Sequence, residues 1–202
     1  AAAATSSSIT VSPVIPNHLE AVLNKLEESG SKIVKKGNAI SINSKSIKAV
    51  KIKTAPFPGF PTDLQAPFMA LMTIAKGRST ISERIFENRM NHVDLLNQMG
   101  ASIKVKNNTA HINGVKKLKG MDLIGADLRS SAALIIAALT SENTSHFYGL
   151  EHLDRGYENF ESKLSKLGAK ITRETVNKAV TTSEDQLKNY SKGNLKIKIK
   201  AA

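Results

Sequence analysis

The chain has 202 residues, enough for one large domain or two small ones, and its 41% hydrophobic content suffices for a packed core. It contains no cysteine, which excludes disulfides, thiolate metal sites and cysteine nucleophiles within it. The formal net charge of +12 favours an anionic partner. With only 4% aromatic residues and scattered lysines, however, the composition indicates phosphorylated small molecules rather than nucleic acid.

The sequence predicts neither a transmembrane helix nor a signal peptide. No apolar run is long enough to cross a bilayer, and the start, AAAATSSSITV, lacks the basic region of a signal peptide. We therefore expect a cytoplasmic protein. Because Ala1 rather than methionine stands first, we also expect that a longer chain was cut there.

The first predicted elements are a helix and a hairpin. Residues 19–33, LEAVLNKLEESGSKI, carry apolar residues at helical spacing and include Gly30, which we predict to end the helix with a positive φ. The next stretch, IVKKGNAISI (33–42), has strand character on both sides of the turn pair Gly37-Asn38.

A proline-rich loop comes next. TAPFPGFPTDLQAP, residues 54–67, has three of the six prolines between Pro56 and Pro61, so it cannot be the interior of a helix or sheet. Strand-like AVKIKTA (49–55) leads into it, and a helical pattern begins at Asp63. A stiff backbone ahead of Asp63 suggests that its carboxylate is held still for chemistry. The alternative is an ordinary helix N-cap.

Both patterns recur along the chain. The first helix reappears as RMNHVDLLNQMGASI (89–103) and YENFESKLSKLGAKI (157–171), and the second as DLRSSAALIIAAL (127–139). Segment 121–126 supplies the strand before that last helix. The repeating unit is therefore strand, helix, strand, helix, strand, strand.

The repeat predicts an α/β (α+β) domain whose helices pack inside a shell of sheets. This βαβαββ domain is incomplete, because its first repeat is truncated. We place the repeats at about 1–48, 49–115 and 116–173. A basic tail, 174–202, follows; its LKIKIK segment either adds a strand or lies disordered.

Charged side chains gather at the predicted helix starts. Asp63 begins one helix, Asp127 and Arg129 begin another, and Arg89 and Arg155 stand near the starts of the longer helices. Helix N-termini that point the same way would form an anion-binding surface, and three arginines around one carboxylate would make an anion site with a base. The alternatives are surface salt bridges for the arginines and N-caps for the aspartates, a role that we favour for Asp127.

The remaining candidates are weaker. His92, His146 and His152 lack metal-ligand spacing, so we interpret them as structural or solvated. The sequence has no Ser/His/Asp signature and no glycine-rich phosphate loop. We predict neither a metal nor an organic cofactor.

Four segments carry a family resemblance: TAPFPGFPTDLQAP, FENRMNHVDLLNQMGA, ADLRSSAALIIAAL and HLDRGYENFESKLSKLGA. Between Ala1 and Ile171 the chain resembles the C-terminal half of the UDP-N-acetylglucosamine 1-carboxyvinyltransferases, or enolpyruvyl transferases, of the EPSP synthase superfamily. The resemblance implies a fold of two pseudo-threefold domains, each an inside-out α/β barrel. It also implies transfer of enolpyruvyl from phosphoenolpyruvate to the 3-hydroxyl of UDP-N-acetylglucosamine with release of phosphate, the first committed step of peptidoglycan synthesis.

The resemblance assigns a role to five residues. Asp63 would take the proton of the sugar hydroxyl or orient that hydroxyl, and the backbone of Ile85 would contact the nucleotide sugar. Arg89 and Arg129 would bind the carboxylate of phosphoenolpyruvate. Arg155 would meet the phosphate or the tetrahedral adduct.

One departure limits what the resemblance implies. The family also uses a lysine, another arginine and a loop cysteine or aspartate from an N-terminal domain, and no segment here resembles those motifs. We therefore expect one lobe, inactive alone, that acts with a missing N-terminal domain in cis or in trans. The alternatives are an EPSP-synthase-like enzyme of the shikimate pathway, a non-catalytic anion-binding remnant, and a basic RNA-binding domain.

Overall fold

The computed structural model describes residues 1–5, 7–175 and 195–200. The helices in these residues are α1 (Glu20–Glu28), α2 (Gln65–Met72), α3 (Val93–Gln98), α4 (Leu128–Leu139), α5 (Leu150–Asp154) and α6 (Phe160–Lys166), with 3-10 turns at Pro16–Leu19 and Thr62–Leu64. The strands are β1 (Ser8–Val11), β2 (Lys32–Lys36), β3 (Ala39–Asn43), β4 (Lys51–Lys53), β5 (Arg78–Ser82), β6 (Ser102–Lys106), β7 (Thr109–Asn113), β8 (Leu118–Lys119), β9 (Asp122–Ile124), β10 (Ser141–Glu142), β11 (Thr144–Tyr148), β12 (Ile171–Thr175) and β13 (Leu195–Lys200).

The second repeat has the predicted order of elements. Its sheet runs β4-β5-β7-β6, with β4 parallel to β5 and the other neighbours antiparallel. Two parallel strands need a crossover connection between them, and α2 provides the one between β4 and β5. Asn107 and Asn108 form the β6–β7 turn with positive φ, as their turn chemistry predicts.

The third repeat forms a sheet of the same topology, but one of its strands, β13, comes from residues 195–200 near the end of the chain. Its order is β12-β13-β11-β9, in which β13 pairs antiparallel with both neighbours. LKIKIK therefore forms a strand, the first of its two expected states. The sheet also extends past residue 173, where the sequence pattern placed the start of a separate tail; residues 176–194 lie outside the described residues.

The first repeat contributes the three-stranded sheet β1-β3-β2, in which the predicted hairpin is formed by β2 and β3. A short parallel pair, β8 and β10, stands apart from the larger sheets. Gly30, Gly100 and Gly168 all have positive φ (99°, 94° and 96°), which confirms the predicted helix ends.

The core surrounds two helices whose sequences are copies of the same repeat element. Helices α2 and α4 pack against each other between the sheets, and their residues are buried on every side rather than along one stripe. This is why both sequences are apolar all round, with Met69, Met72 and Leu134 almost fully enclosed. Within residues 1–5, 7–175 and 195–200 the strands form four separate sheets. Among the described residues, no helix has both the length and the apolar character to span a membrane.

Candidate functional site

The proline-rich loop is held in shape by hydrogen bonds within it. The Ala55 N–H donates to the carbonyl of Phe60 at 3.0 Å, and the Gly59 N–H donates to that of Pro56 at 2.7 Å. Phe60 is buried edge-on against Phe68, with ring centroids 5.4 Å apart. Because this loop is fixed by backbone bonds and a buried aromatic pair, the turn that follows it has a defined position.

Asp63 lies in that turn and does not act as the helix cap. It sits within the 3-10 turn Thr62–Leu64, and Leu64 is the N-cap residue of α2. The Asp63 side chain is 69% exposed. An aspartate that caps a helix turns its oxygens back onto backbone N–H groups, so this exposed carboxylate is available to a ligand instead.

Two of the predicted arginines contact Asp63. Its Oδ1 accepts from Nη1 of Arg89 at 3.1 Å and from Nη1 of Arg129 at 3.4 Å. Arg89 belongs to the second repeat and Arg129 to the third, so the fold joins residues that are far apart in the chain. The Arg89 guanidinium also lies over the ring of Phe86, 4.1 Å from its centroid.

Asp127 plays the capping role that the sequence favours. Its Oδ1 accepts from the backbone N–H groups of Arg129 at 2.9 Å and Ser130 at 3.1 Å. In return the Ser130 hydroxyl accepts from the Asp127 N–H, which completes a capping box. Burial raises the pKa of Asp127, but the bonds from Ser130 and Arg129 and the Arg129 charge outweigh it and leave that pKa lowered.

Glu83 forms a network that the sequence did not reveal. Its Oε1 accepts from the Thr54 hydroxyl and the Ile85 N–H, both at 2.8 Å, and from the Phe86 N–H at 3.2 Å. Its Oε2 accepts from the Thr62 hydroxyl at 2.8 Å. Burial raises the pKa of Glu83, yet these four bonds together hold it below the ordinary value. Ile85, a predicted substrate contact, is thus fixed through its own N–H.

Arg155 corrects one prediction about the helices. It is the C-cap residue of α5, not the start of a long helix, because α6 begins only at Phe160 after Asn159 with φ of 49°. The arginine is exposed, and within residues 1–5, 7–175 and 195–200 no acidic group lies within 4.0 Å of it. Gly156 beside it lies against Leu128, the first residue of α4. Arg155 is therefore near the start of α4 but is not brought onto Asp63.

The loop that carries Arg155 is held by an ion cluster. Arg173 donates to both oxygens of Asp154, at 2.7 and 3.0 Å, and to Glu161 at 3.0 Å. These bonds, with that to Asp154 first, raise the pKa of the Arg173 guanidinium. The bidentate geometry fixes α5 against β12 and α6.

Tyr157 is a further residue near the site that the sequence did not indicate. Burial raises the pKa of its hydroxyl, and the charge of Asp63 raises it further while Arg129 lowers it. Its ring packs on Phe160 at 4.9 Å. The tyrosine therefore places an aromatic ring and a hydroxyl close enough to Asp63 and Arg129 to be affected by their charges.

His92 and His146 fit the interpretation of the histidines as structural or solvated. His92 is buried, and burial lowers its pKa to about 4 against an opposing effect of Asp127. His146 Nδ1 lies 3.0 Å from Asp122 on the surface. In the described part of the chain, no group of three or more His, Cys, Asp or Glu side chains is arranged to hold a metal ion.

A cavity of about 430 Å³ lies at the opposite ends of α2 and α4 from Asp63. Its lining includes Lys45, Lys76, Lys116 and Lys117. Helix C-termini carry partial negative charge, so these lysines complement the helix ends. None of the five predicted site residues lines this cavity.

Comparisons with known proteins point to one family. The sequence profile of EPSP synthase (3-phosphoshikimate 1-carboxyvinyltransferase) matches residues 1–164. A UDP-N-acetylglucosamine 1-carboxyvinyltransferase of Prochlorococcus marinus strain MIT 9515 is 78% identical over 202 residues, covering 100% of this chain and 44% of the relative. Another, from P. marinus subsp. pastoris strain CCMP1986, is 75% identical over 189 residues, 94% of this chain and 41% of the relative. The chain thus spans about two fifths of the relatives' length.

Solved structures agree with the sequence relatives. The enolpyruvyl transferase NikO of Streptomyces tendae superposes with a TM-score of 0.67 at 27% identity, over 74% of this chain and 35% of that one. EPSP synthase from Acinetobacter baumannii gives a TM-score of 0.67 at 16% identity, over 96% and 42%, and supports the fold alone. The matched profile, the sequence relatives and the shared fold together place this chain in the EPSP synthase (3-phosphoshikimate 1-carboxyvinyltransferase) family.

Proposed function

We propose that the chain is one lobe of an enzyme that transfers the enolpyruvyl group of phosphoenolpyruvate to the 3-hydroxyl of UDP-N-acetylglucosamine. The observation that carries this proposal is the contact of Asp63 with Arg89 and Arg129. The chain in which it occurs is 78% identical to a relative named UDP-N-acetylglucosamine 1-carboxyvinyltransferase. An N-terminal domain, in cis or in trans, would supply the rest of the site.

Asp63 is the proposed base. Both arginine contacts go to its Oδ1, which leaves Oδ2 to accept the proton of the sugar 3-hydroxyl. The freed oxygen then bonds to C2 of phosphoenolpyruvate while C3 takes up a proton from a general acid that the N-terminal domain would supply. When the adduct collapses, the C2–O bond to phosphate breaks and C3 gives up a proton, so enolpyruvyl ether and phosphate are released.

Arg89 and Arg129 are the proposed clamp for the carboxylate of phosphoenolpyruvate. The Asp63 side chain is 69% exposed, and an ion pair at the surface contributes only about 0–1 kcal/mol, so an incoming carboxylate can displace Asp63 from the two arginines at little cost. Their planar guanidinium groups suit bidentate binding of the new anion. The same exchange releases Oδ1 of Asp63, while Oδ2 stays in place for the sugar hydroxyl.

Arg155 and Ile85 complete the proposed contacts. Arg155 is exposed beside the start of α4 and would bind the phosphate of phosphoenolpyruvate or of the adduct. The Ile85 N–H is taken by Glu83, so its carbonyl is the backbone group left for the nucleotide sugar. We propose a cytoplasmic location, and a product that enters peptidoglycan synthesis and so supports cell wall formation, cell shape and division.

Phosphate release tests the proposal directly. The enzyme to assay is a chimera in which this chain replaces the matching 44% of the MIT 9515 relative, beside the full chain alone. We expect release from phosphoenolpyruvate with UDP-N-acetylglucosamine by the chimera only. Release with shikimate 3-phosphate instead would favour the shikimate-pathway alternative, and binding without release would favour the non-catalytic one.

Asp63→Asn tests the base within that chimera. Asparagine keeps the shape and can still accept from both arginines, but it cannot take a proton. We expect kcat to fall by about 10²- to 10⁴-fold, the usual contribution of general base catalysis, with KM for phosphoenolpyruvate changed little. A variant with unchanged kcat would remove Asp63 from the chemistry.

A further inference from the structure

The buried carboxylate of Glu83 lies beneath the proposed site without touching Asp63 or the arginines. We propose that Glu83 is a positioning residue, which fixes the distance between the base Asp63 and the backbone at Ile85. This inference rests on the function proposed above and names a residue through which that site is held.

The Glu83 carboxylate joins three segments that are separate in the chain. Thr54 follows β4, Thr62 begins the turn that carries Asp63, and Ile85 and Phe86 follow β5. One side chain thus bonds to partners up to 29 residues away. Since each bond ends on the same two oxygens, a shift of one segment is resisted by the others.

Burial makes these bonds strong constraints. Glu83 is 4% exposed, and a buried carboxylate is costly unless it is hydrogen-bonded. Four donors satisfy it, and bonds to an ionised acceptor are roughly twice as strong as neutral ones. The arrangement therefore requires the ionised form of Glu83, in agreement with its lowered pKa.

The network holds both sides of the proposed reaction centre. Thr62 directly precedes Asp63, so its bond to Glu83 sets where the base lies. Ile85 and Phe86 hold the opposite side, and Phe86 also supports Arg89 through its ring. A sugar bound at the Ile85 carbonyl would meet the Asp63 carboxylate at a distance that Glu83 determines.

Two substitutions separate positioning from simple stability. Glu83→Gln has one acceptor oxygen in place of two, so it cannot hold Thr62 and the Ile85 segment as before. Thr62→Val removes the bond on the Asp63 side and, with it, the longer bond of 3.5 Å that the Thr62 hydroxyl accepts from Nη1 of Arg89. Thr62→Ser keeps the hydroxyl and so keeps both bonds. The matched control is Glu142→Gln, because Glu142 on β10 has an exposed carboxylate that pairs with Lys117.

In the chimera we expect Glu83→Gln to lower kcat about 10- to 100-fold and to raise KM for UDP-N-acetylglucosamine, because small misplacements at reacting groups are costly. Thr62→Val should lower kcat without raising KM for UDP-N-acetylglucosamine, because the Ile85 side of the network is kept, and Thr62→Ser should restore kcat. Variants that unfold at a lower temperature yet keep the parent kcat in the cold would overturn the inference. A parent chimera without phosphate release would instead overturn the proposed function.

Amide hydrogen exchange on the full chain gives a readout that needs no activity. Glu83→Gln should speed exchange at Ile85 and Phe86 by about tenfold or more, because their N–H groups lose the ionised acceptor. The Leu96 amide, bonded to His92 within α3, should not change. Equal exchange at Ile85 and Phe86 in parent and variant would show that Glu83 does not hold this segment.

Discussion

At the scale of single residues, the two arginines on Asp63 are held differently. Arg89 also lies over Phe86, whereas Arg129 extends from the first turn of α4 and is the more exposed of the two. Arg129→Lys keeps the charge but loses the planar fork. We expect KM for phosphoenolpyruvate to rise about tenfold or more in the chimera, since bonds to charged groups are worth about 1.5–3 kcal/mol.

The control for this prediction is Arg78→Lys, an exposed position on β5, which should leave both KM values unchanged. A rise confined to UDP-N-acetylglucosamine would place Arg129 on the nucleotide sugar instead of phosphoenolpyruvate. Initial rates of phosphate release at varied concentrations of each substrate distinguish the two results.

At the scale of elements, the Asp127 cap fixes the start of α4, one of the two helices that pack against each other in the core. Asp127→Ala leaves the first N–H groups of α4 without their acceptor, and we expect the free energy of unfolding to fall by about 1–2 kcal/mol. Asp127→Asn keeps an acceptor oxygen and should lose less. Urea unfolding of the full chain at neutral pH measures both, and equal losses would mean that charge, not capping, holds the helix end.

Much of the element pattern could be predicted because it depends on local chemistry. Helix periods, turn pairs such as Gly37-Asn38 and the capping aspartate Asp127 act over a few residues, and each is found in place. The contacts of Asp63 with Arg89 and Arg129 agree with the prediction that helix starts share one edge, but the third arginine of that prediction, Arg155, does not contact Asp63. The sequence did not reveal that the helices themselves are shorter than their periodic stretches: α3 begins only at Val93.

The unpredicted features depend on contacts between distant segments. Glu83 meets Thr62 across 21 residues, and no spacing rule links a buried acid to two threonines and two amides. The order β12-β13-β11 likewise depends on pairing by residues 195–200, far along the chain from β11. Arg155 was misplaced because the break at Asn159 interrupts a stretch that otherwise has helical character.

At the scale of the whole molecule, a buried histidine should make stability depend on pH. His92 is 3% exposed, and its Nε2 has no hydrogen-bond partner among the described residues. Its pKa in the folded chain is about 4, against 6.5 when exposed. Between pH 6.5 and pH 4, His92 is therefore protonated in the unfolded chain but neutral in the folded chain. The free energy of unfolding falls as the pH is lowered through this range.

The size of this effect can be measured with one substitution. Between pH 6.5 and 5 the lowered pKa of His92 corresponds to a loss of about 2 kcal/mol in the free energy of unfolding. His92→Gln, which does not titrate, should flatten the profile by that amount, whereas His111→Gln at an exposed site on β7 should not.

Glu83 and Asp127 have lowered carboxyl pKa values, so their stabilisation is lost at more acidic pH, outside this window. Urea unfolding at several pH values and constant ionic strength gives the profile. An unchanged slope in His92→Gln would mean that the imidazole can be protonated in the folded chain, and hence that the packing between α3 and the start of α4 opens to water.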